Sequence, residues 1–418
     1  MIIRDKATKW STYLLRFLFL LLIIYCVLLI PSSDPSVPKN LVGSPFVWNQ
    51  DERWEAIEIR FSEARKEGCN KLKEKLDKGF ESCEKLIAQI SLGEYDVQDP
   101  LFDALEENIF SLGPMVAVCP DRLRSYMHLV ASLRVAIKNQ SMHWNLDLTA
   151  TKNRLYRLIY GSRQALEEVM LQVPRDTSLF DIMSYEEPSK TPFTTILGVK
   201  VHSGDILVSR GGVPTSALIA RGSDYPGNFS HVALAHVDSG KVSIIEAHIE
   251  KGVTVSTLKE YLQDKKLRIM VLRLRSDLAA LKADTMLPHA VATKMLENVK
   301  SRHIAYDFAM DVFDSSKMFC SEVASSPYRQ FGITLWKGIS VISSKGASSW
   351  LSAFGLKNFK TQEPSDLEYD PQLSVVAEWR DWETLFKDHV DNAVIDAMLE
   401  GAELGEQLKY DWYMLPIA

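Results

Sequence analysis

"FSHVALAHVDSGKVSIIEAHIEKGVTVSTL", residues 229–258, decides how the second half of this chain folds. Apolar and β-branched residues run on both sides of Asp238-Ser239-Gly240, a turn signal, which predicts a β-hairpin followed by a third strand after Gly252. If Ser239-Gly240 is a two-residue turn, Asp238 pairs with Lys241 and Ala233 with Glu246. That register sets Glu246 diagonal to His231 on one face and His248 directly opposite His231. A slip of one residue turns both away. Working outward, "GDILVSR" (204–210) and "LRIMVLRLR" (267–275) read as further strands. Helices are expected at about 281–300, from Cys320 onward, and at about 382–408. Strands grouped in sequence and flanked by helices predict an α+β domain, an antiparallel sheet packed on helices.

The chain has 418 residues, enough for two folded units. A hydrophobic content of 46% and a charged content of 24% describe a globular protein with a real core. The net charge of −6, with no Lys/Arg run, excludes nucleic acid as a partner class. Residues 10–30, "WSTYLLRFLFLLLIIYCVLLI", carry Arg16 as their only charge. As a helix, Tyr13 to Ile30 spans roughly 27 Å, close to a bilayer's hydrocarbon core. Arg4, Lys6, Lys9 and Arg16 stand before the apolar run, so residues 1–9 are expected in the cytoplasm and the body outside, across the cytoplasmic membrane. "LLIPSSDPS" offers no small-x-small cleavage site, which favours a single-pass anchor over a cleaved leader.

A Pro/Ser-rich spacer (31–50) leads to a helical region at 51–172. Apolar residues at three-to-four spacing predict a long helix over 51–92, which Gly68 and Gly79 can kink, then helices at about 121–139 and 146–171. Together these predict an antiparallel three-helix hairpin arrangement, with self-association as one role for it. Cys69 and Cys83 would lie about 21 Å apart on one helix, too far for a disulfide. Cys119 falls in a turn between Pro114 and Pro120, and the spacing of the five cysteines predicts no disulfide framework. Residues 173–195 read as a linker, and 196–418 as the second domain with a C-terminal helix.

Within that domain Cys320, in "SSKMFCSEVASSPYRQFG" (315–332), stands at the mouth of a short helix, where N–H groups and the dipole favour a thiolate. A thiolate nucleophile needs a base, and the base needs an orienting acceptor. His231 is the candidate base, because its same-face neighbours Ala233 and Ala235 leave room beside the ring. Glu246 and His248 are rival orienters. A zinc site on His231, His236 and His248 is set aside, since strand alternation sends His231 and His236 to opposite faces. No metal or other cofactor is expected.

"GDILVSRGG", "FSHVALAHVDSGKVSIIEAHIEKGV" and "YDFAMDVFDSSKMFCSEV" in this order resemble the permuted papain-like hydrolases of the YiiX/YaeF type, relatives of the NlpC-type peptidases and of lecithin retinol acyltransferase. "PSDLEYD" (364–370) looks like that family's tail. The resemblance implies a circularly permuted papain-like fold with Cys320 as nucleophile, His231 as base and Glu246 as orienter. It also implies that Tyr306 lines the site, that Asp205 supports the strand turn beside it, and that the Cys320 N–H serves the oxyanion. Two features depart from the pattern: Pro327 inside the nucleophile helix, and the added helical region with its anchor. The expected activity is hydrolysis of an amide or ester, in a peptide, a cell-wall stem peptide or an acyl lipid. Transfer of an acyl group between lipids, a non-catalytic cleft that holds such a ligand, and a helical oligomeriser carrying the second domain are the rival readings.

Overall fold

Ser239 (φ 50°) and Gly240 (φ 75°) both occupy the left-handed region, the conformation of a type I′ turn, whose twist matches that of the strands it joins. The computed structural model describes residues 2–28, 43, 45–46, 50–174, 181–183, 186–353 and 355–406. The turn joins β3 (His231–Asp238) to β4 (Lys241–His248) in the register that it dictates, Asp238 opposite Lys241 and Ala233 opposite Glu246. These strands belong to a seven-stranded sheet. Its other members are β1 (Asp181–Met183), β2 (Ile206–Gly211), β5 (Gly252–Thr257), β6 (Lys266–Leu274) and β7 (Leu373–Trp379). The order is β1-β7-β6-β2-β3-β4-β5, antiparallel at every pairing. Strand β7 had no counterpart in the sequence reading. The expected linker also contributes, since residues 181–183 form the edge strand on β7.

Alternation along β3 fills two cores. Val232 and Leu234 join Ile206, Val208, Met270 and Leu272 on one face. There they pack on Val291 and Met295 of α8 (Leu287–Ser301) and on Val323 and Ala324 of α9 (Glu322–Gln330). Ala233 and Ala235 join Leu207, Ile244 and Val271 on the other, beneath Val201 and Tyr261. Each fully buried Val or Leu contributes about 1.5–3 kcal/mol, so the first face, with the larger side chains, fixes α9 more firmly. Helix α9 keeps its helical form through Pro327.

The N-terminal half differs from its expected outline. Helix α1 covers Ile2–Leu28, with Tyr13 through Tyr25 exposed. Among the described residues no helix is long and apolar enough to cross a membrane. The expected span runs on to Leu29 and Ile30, and most of the spacer at 31–50 also lies outside the described residues. The expected single long helix is two, α2 (Gln50–Glu67) and α3 (Cys69–Leu92), broken at Gly68 with φ 75°. A further helix, α4 (Pro100–Val118), had no counterpart among the expected helices. Pro114 lies inside it, and the Asp99 side chain caps its start by accepting from the Leu101 N–H at 2.9 Å. Helix α5 (Leu123–Ser141) follows, then α6 (Thr149–Leu155), which continues through a π-helical turn into α7 (Ser162–Gln172). Leu76, Ile90, Leu105, Ile109, Leu133 and Ile159 fill the core between them.

The missed helix also corrects the cysteine reading. Helices α3 and α4 form a hairpin that returns Cys119 to the start of α3, where it is disulfide-bonded to Cys69 with Cα atoms 5.2 Å apart. Cys26, Cys83 and Cys320 are free.

The helical region and the sheet are joined by buried charge. Glu167 of α7 is fully buried and accepts Arg268 of β6 at 2.6 and 2.9 Å, Arg163 at 3.0 Å and His389 at 3.1 Å. His389 lies on the C-terminal helix α10 (Trp382–Glu403). Arg163 in turn forks onto Glu368 at 2.6 and 2.9 Å. Such a cluster is sustained only when all its charges are paired, so the two regions are fixed against each other.

Candidate active site

His231 is the first residue of β3, and the segment before it is pinned from several sides. Arg163 donates to the Asn228 side chain at 3.1 Å. The Ser365 hydroxyl accepts the Phe229 N–H at 3.0 Å, and the Ser209 carbonyl accepts that of Ser230 at 2.9 Å. Ser365 and Glu368 both belong to the 3-10 turn Pro364–Glu368, so the "PSDLE" stretch works as a brace for the residues leading into His231.

The His231 Nε2 lies 2.9 Å from Glu246 Oε2. The other oxygen, Oε1, accepts the Ser256 hydroxyl at 2.7 Å and has His248 Nε2 at 3.3 Å. The two imidazole rings stand 5.8 Å apart. Glu246 therefore contacts both histidines. Burial alone would raise its carboxyl, but hydrogen bonds from His231, His248 and Ser256 outweigh that and hold it well below the usual carboxylate range. The same carboxylate raises His248 above the ordinary histidine value. With Nε2 engaged, Nδ1 is the His231 nitrogen left for another partner.

Cys320 lies two residues before α9 and is 7% exposed. Its Sγ is 4.0 Å from the Ser230 carbonyl, to which it donates. Burial pushes the thiol up to about 11, against the N–H groups of Val232 and Ser321, which pull it down. The expected helix-terminal thiolate is thus a neutral thiol at rest, because desolvation exceeds the local dipoles. The sulfur touches Ser230 and Val232, the residues on either side of His231 in the chain. The Cys320 main-chain N–H donates to no acceptor among the described residues.

Tyr306 pairs with Met318 in a two-residue parallel bridge ahead of Cys320. Burial raises its phenol most, and a thiolate at Cys320 would raise it further. Asp205 stands elsewhere. It precedes β2, where Ile206 pairs with Leu234, three positions along from the Ser209–His231 pair. There it accepts Arg273 at 2.7 and 2.8 Å and the His202 N–H at 2.7 Å.

Two neighbours escaped the sequence reading. Ser256 is diagonal to Glu246 across β4 and β5, in the register that pairs Glu246 with Thr254. Carrying the strand alternation past Gly252 would have found it. Glu363 has no such local signal. It is buried, its carboxyl is pushed up to about 8 by burial and by Asp366, and once ionised it would raise Cys320 and Tyr306. Its side chain has no hydrogen-bond partner among the described residues.

A sulfur, an imidazole and a carboxylate at the junction of a helix start and an antiparallel sheet are the parts of a papain-like thiol enzyme. Residues 200–377 match the family model of the permuted papain-like amidases, YaeF/YiiX, C92 family, a family of cysteine-peptidase type. Over that stretch the chain is similar to the permuted papain-like enzymes of the cysteine hydrolase class, and its α+β architecture fits a papain-like fold. No curated protein matches the chain. Among solved structures it is similar to the metalloprotein yiiX from Escherichia coli O157:H7, with 20% identity, covering 43% of this chain and 97% of that one, at a TM-score of 0.33. Among the described residues no group of three His, Cys, Asp or Glu side chains is placed to hold a metal ion.

Proposed function

We propose that this protein is a membrane-tethered amidase acting through Cys320, His231 and Glu246. The observation that carries the reading is the 2.9 Å contact of His231 Nε2 with Glu246, beside a sulfur seated between the main chains of Ser230 and Val232. In this scheme His231 Nδ1 takes the Cys320 proton as the sulfur attacks the amide carbonyl. Glu246 stabilises the resulting imidazolium and holds the ring. The Cys320 N–H, which has no acceptor among the described residues, donates to the oxyanion. The imidazolium then protonates the leaving amine, and a thioester remains on Cys320. Water attacks it with His231 as base, which releases the carboxylic acid and restores the thiol.

The resting thiol fits this order, because a neutral sulfur awaits a substrate before its proton moves. Tyr306 lines the cleft, and His248 and Ser256 hold Glu246. The basic flank and apolar run at the N-terminus support tethering to the cytoplasmic membrane with the enzyme outside. A disulfide at Cys69–Cys119 agrees with an oxidising compartment. There the substrate class is an amide of a peptide or of a cell-wall stem peptide.

The test is incubation with cell-envelope extract, followed by mass spectrometry of the peptide bearing Cys320. A peptidyl adduct is expected on the wild type and none on Cys320→Ala, whose turnover falls at least 10³-fold. A fatty-acyl adduct would reassign the substrate to lipid. Turnover by Cys320→Ala at the wild-type rate would remove the nucleophile.

A further inference from the structure

A second polar site lies away from Cys320. A cavity of about 190 Å³ opens where α5 meets the start of β7. Arg134 and Lys138 of α5 line it, with Glu187, with Arg275 and Ser276 just after β6, and with Ser374 of β7. Arg134 and Lys138 are each only 3% exposed. Yet Lys138 Nζ, Arg134 Nε and Arg134 Nη1 have no hydrogen-bond partner among the described residues. Water outside would satisfy these donors, so leaving them unmet in the interior is costly.

The neighbouring carboxylates are already committed. Glu187 accepts the Ser276 N–H and the Ser374 hydroxyl, both at 2.7 Å. Asp277 is forked onto Arg275 at 2.6 and 3.1 Å. Glu378 stands 3.4 Å from Arg134 but shares itself with Arg380 at 3.0 Å. That leaves Lys138 and much of Arg134 without a hydrogen-bonded carboxylate, one turn apart on one helix, beside a cavity that both residues line.

We propose that this cavity binds a small oxyanion of the phosphate or phosphomonoester class, gripped by Lys138 Nζ and by the Nε and Nη1 of Arg134. A phosphate group offers several acceptor oxygens, which suit converging donors. The state of Lys138 agrees. Burial drives its ammonium down to about 7, with Arg134 and Arg275 pushing the same way and Asp370 and Glu368 opposing. An anion at Nζ reverses that.

This site is distinct from the one at Cys320. The cavity flanks the Leu274–Leu373 pair, whereas His231 pairs with Ser209, which pairs with Ile269. The separation is five residues along β6 and two strands across, about 17 Å by about 10 Å. Because α5 and the sheet form opposite walls, a bound anion ties the helical region to the catalytic domain.

Calorimetric titration of the full chain in detergent with inorganic phosphate, against chloride at equal ionic strength, tests this. Saturable heat is expected with phosphate alone. Lys138→Met, close in volume and free of the unmet ammonium, is expected to weaken binding at least tenfold while keeping the wild-type circular dichroism. Should that variant misfold, hydrogen exchange on the wild type replaces it, and phosphate is expected to slow the amides of residues 131–139. A short-chain phosphatidic acid below its micellar concentration separates the sources: tighter binding than phosphate marks a headgroup, weaker binding marks the free ion. Absence of saturable phosphate binding, or binding undiminished by Lys138→Met, overturns the proposal and leaves a water-filled cavity.

Discussion

Replacing Glu246 by Gln keeps the shape of the residue and removes its charge. The amide oxygen can still accept His231 Nε2–H, and the amide nitrogen faces His248 and the Ser256 hydroxyl, both able to accept. Ring orientation therefore survives, and what is lost is the charge 2.9 Å from the imidazole. Between charge centres about 4 Å apart at an effective dielectric of 20, that charge is worth about 4 kcal/mol to an imidazolium. The His231 side chain is 21% exposed and the amide dipole recovers part of the loss, so about 2–3 kcal/mol is the working figure. His231 accepts the Cys320 proton less readily by that amount, so the thiolate population falls roughly 30- to 150-fold. The assay needs no substrate: it follows iodoacetamide labelling of the Cys320 peptide at pH 7 by mass spectrometry, with urea-unfolded protein as the reactivity control. Labelling of Glu246→Gln within twofold of wild type would refute the coupling between carboxylate, imidazole and sulfur.

Two further outcomes follow from parts of the fold outside the proposed triad. The Cys69–Cys119 disulfide closes a loop with a sequence separation of 50, so Cys69→Ala with Cys119→Ala is expected to cost about 4 kcal/mol in urea unfolding; a loss below about 1 kcal/mol would show that chain entropy is not what this bond constrains. Glu363 has its folded-state carboxyl raised from 4.5 to about 8, so the folded state keeps a proton that the unfolded chain releases, and stability falls as pH rises from about 4.5 to 8. Glu363→Gln has no proton to lose and should flatten that slope by up to about 1.4 kcal/mol per pH unit, with Glu322 and Asp366, raised to about 8 and about 7, supplying the slope that remains. An unchanged slope in urea midpoints between pH 5 and 8 would contradict the burial of that carboxyl as a neutral acid.

The hairpin at Asp238-Ser239-Gly240 was legible in full, down to the pairing of Ala233 with Glu246, because a two-residue turn fixes register and register fixes faces. From it came the His231–Glu246 contact across a diagonal, and the place of His248 on the same carboxylate. The region N-terminal to the sheet was read less well. Helix α4, which runs through Pro114, was not expected at all, while Gly68, expected only as a kink, separates two helices. Once α4 was missed, the partner of Cys119 was out of reach, since only the α3–α4 hairpin brings it back to Cys69.

Local pattern in the chain determined the strands, the turn and the candidate sulfur, imidazole and carboxylate, because side-chain alternation and turn chemistry act over a few residues. Only the tertiary structure decided the protonation of Cys320, the approach of Glu363, the brace that Ser365 and Glu368 build for His231, and the unmet cations of α5. Those features depend on desolvation and on contacts between residues far apart in the chain, up to 205 positions for Arg163 and Glu368. No short-range periodicity encodes how deeply a group is buried or which distant charge comes to face it, and these set whether a thiol ionises and whether a cation is paired.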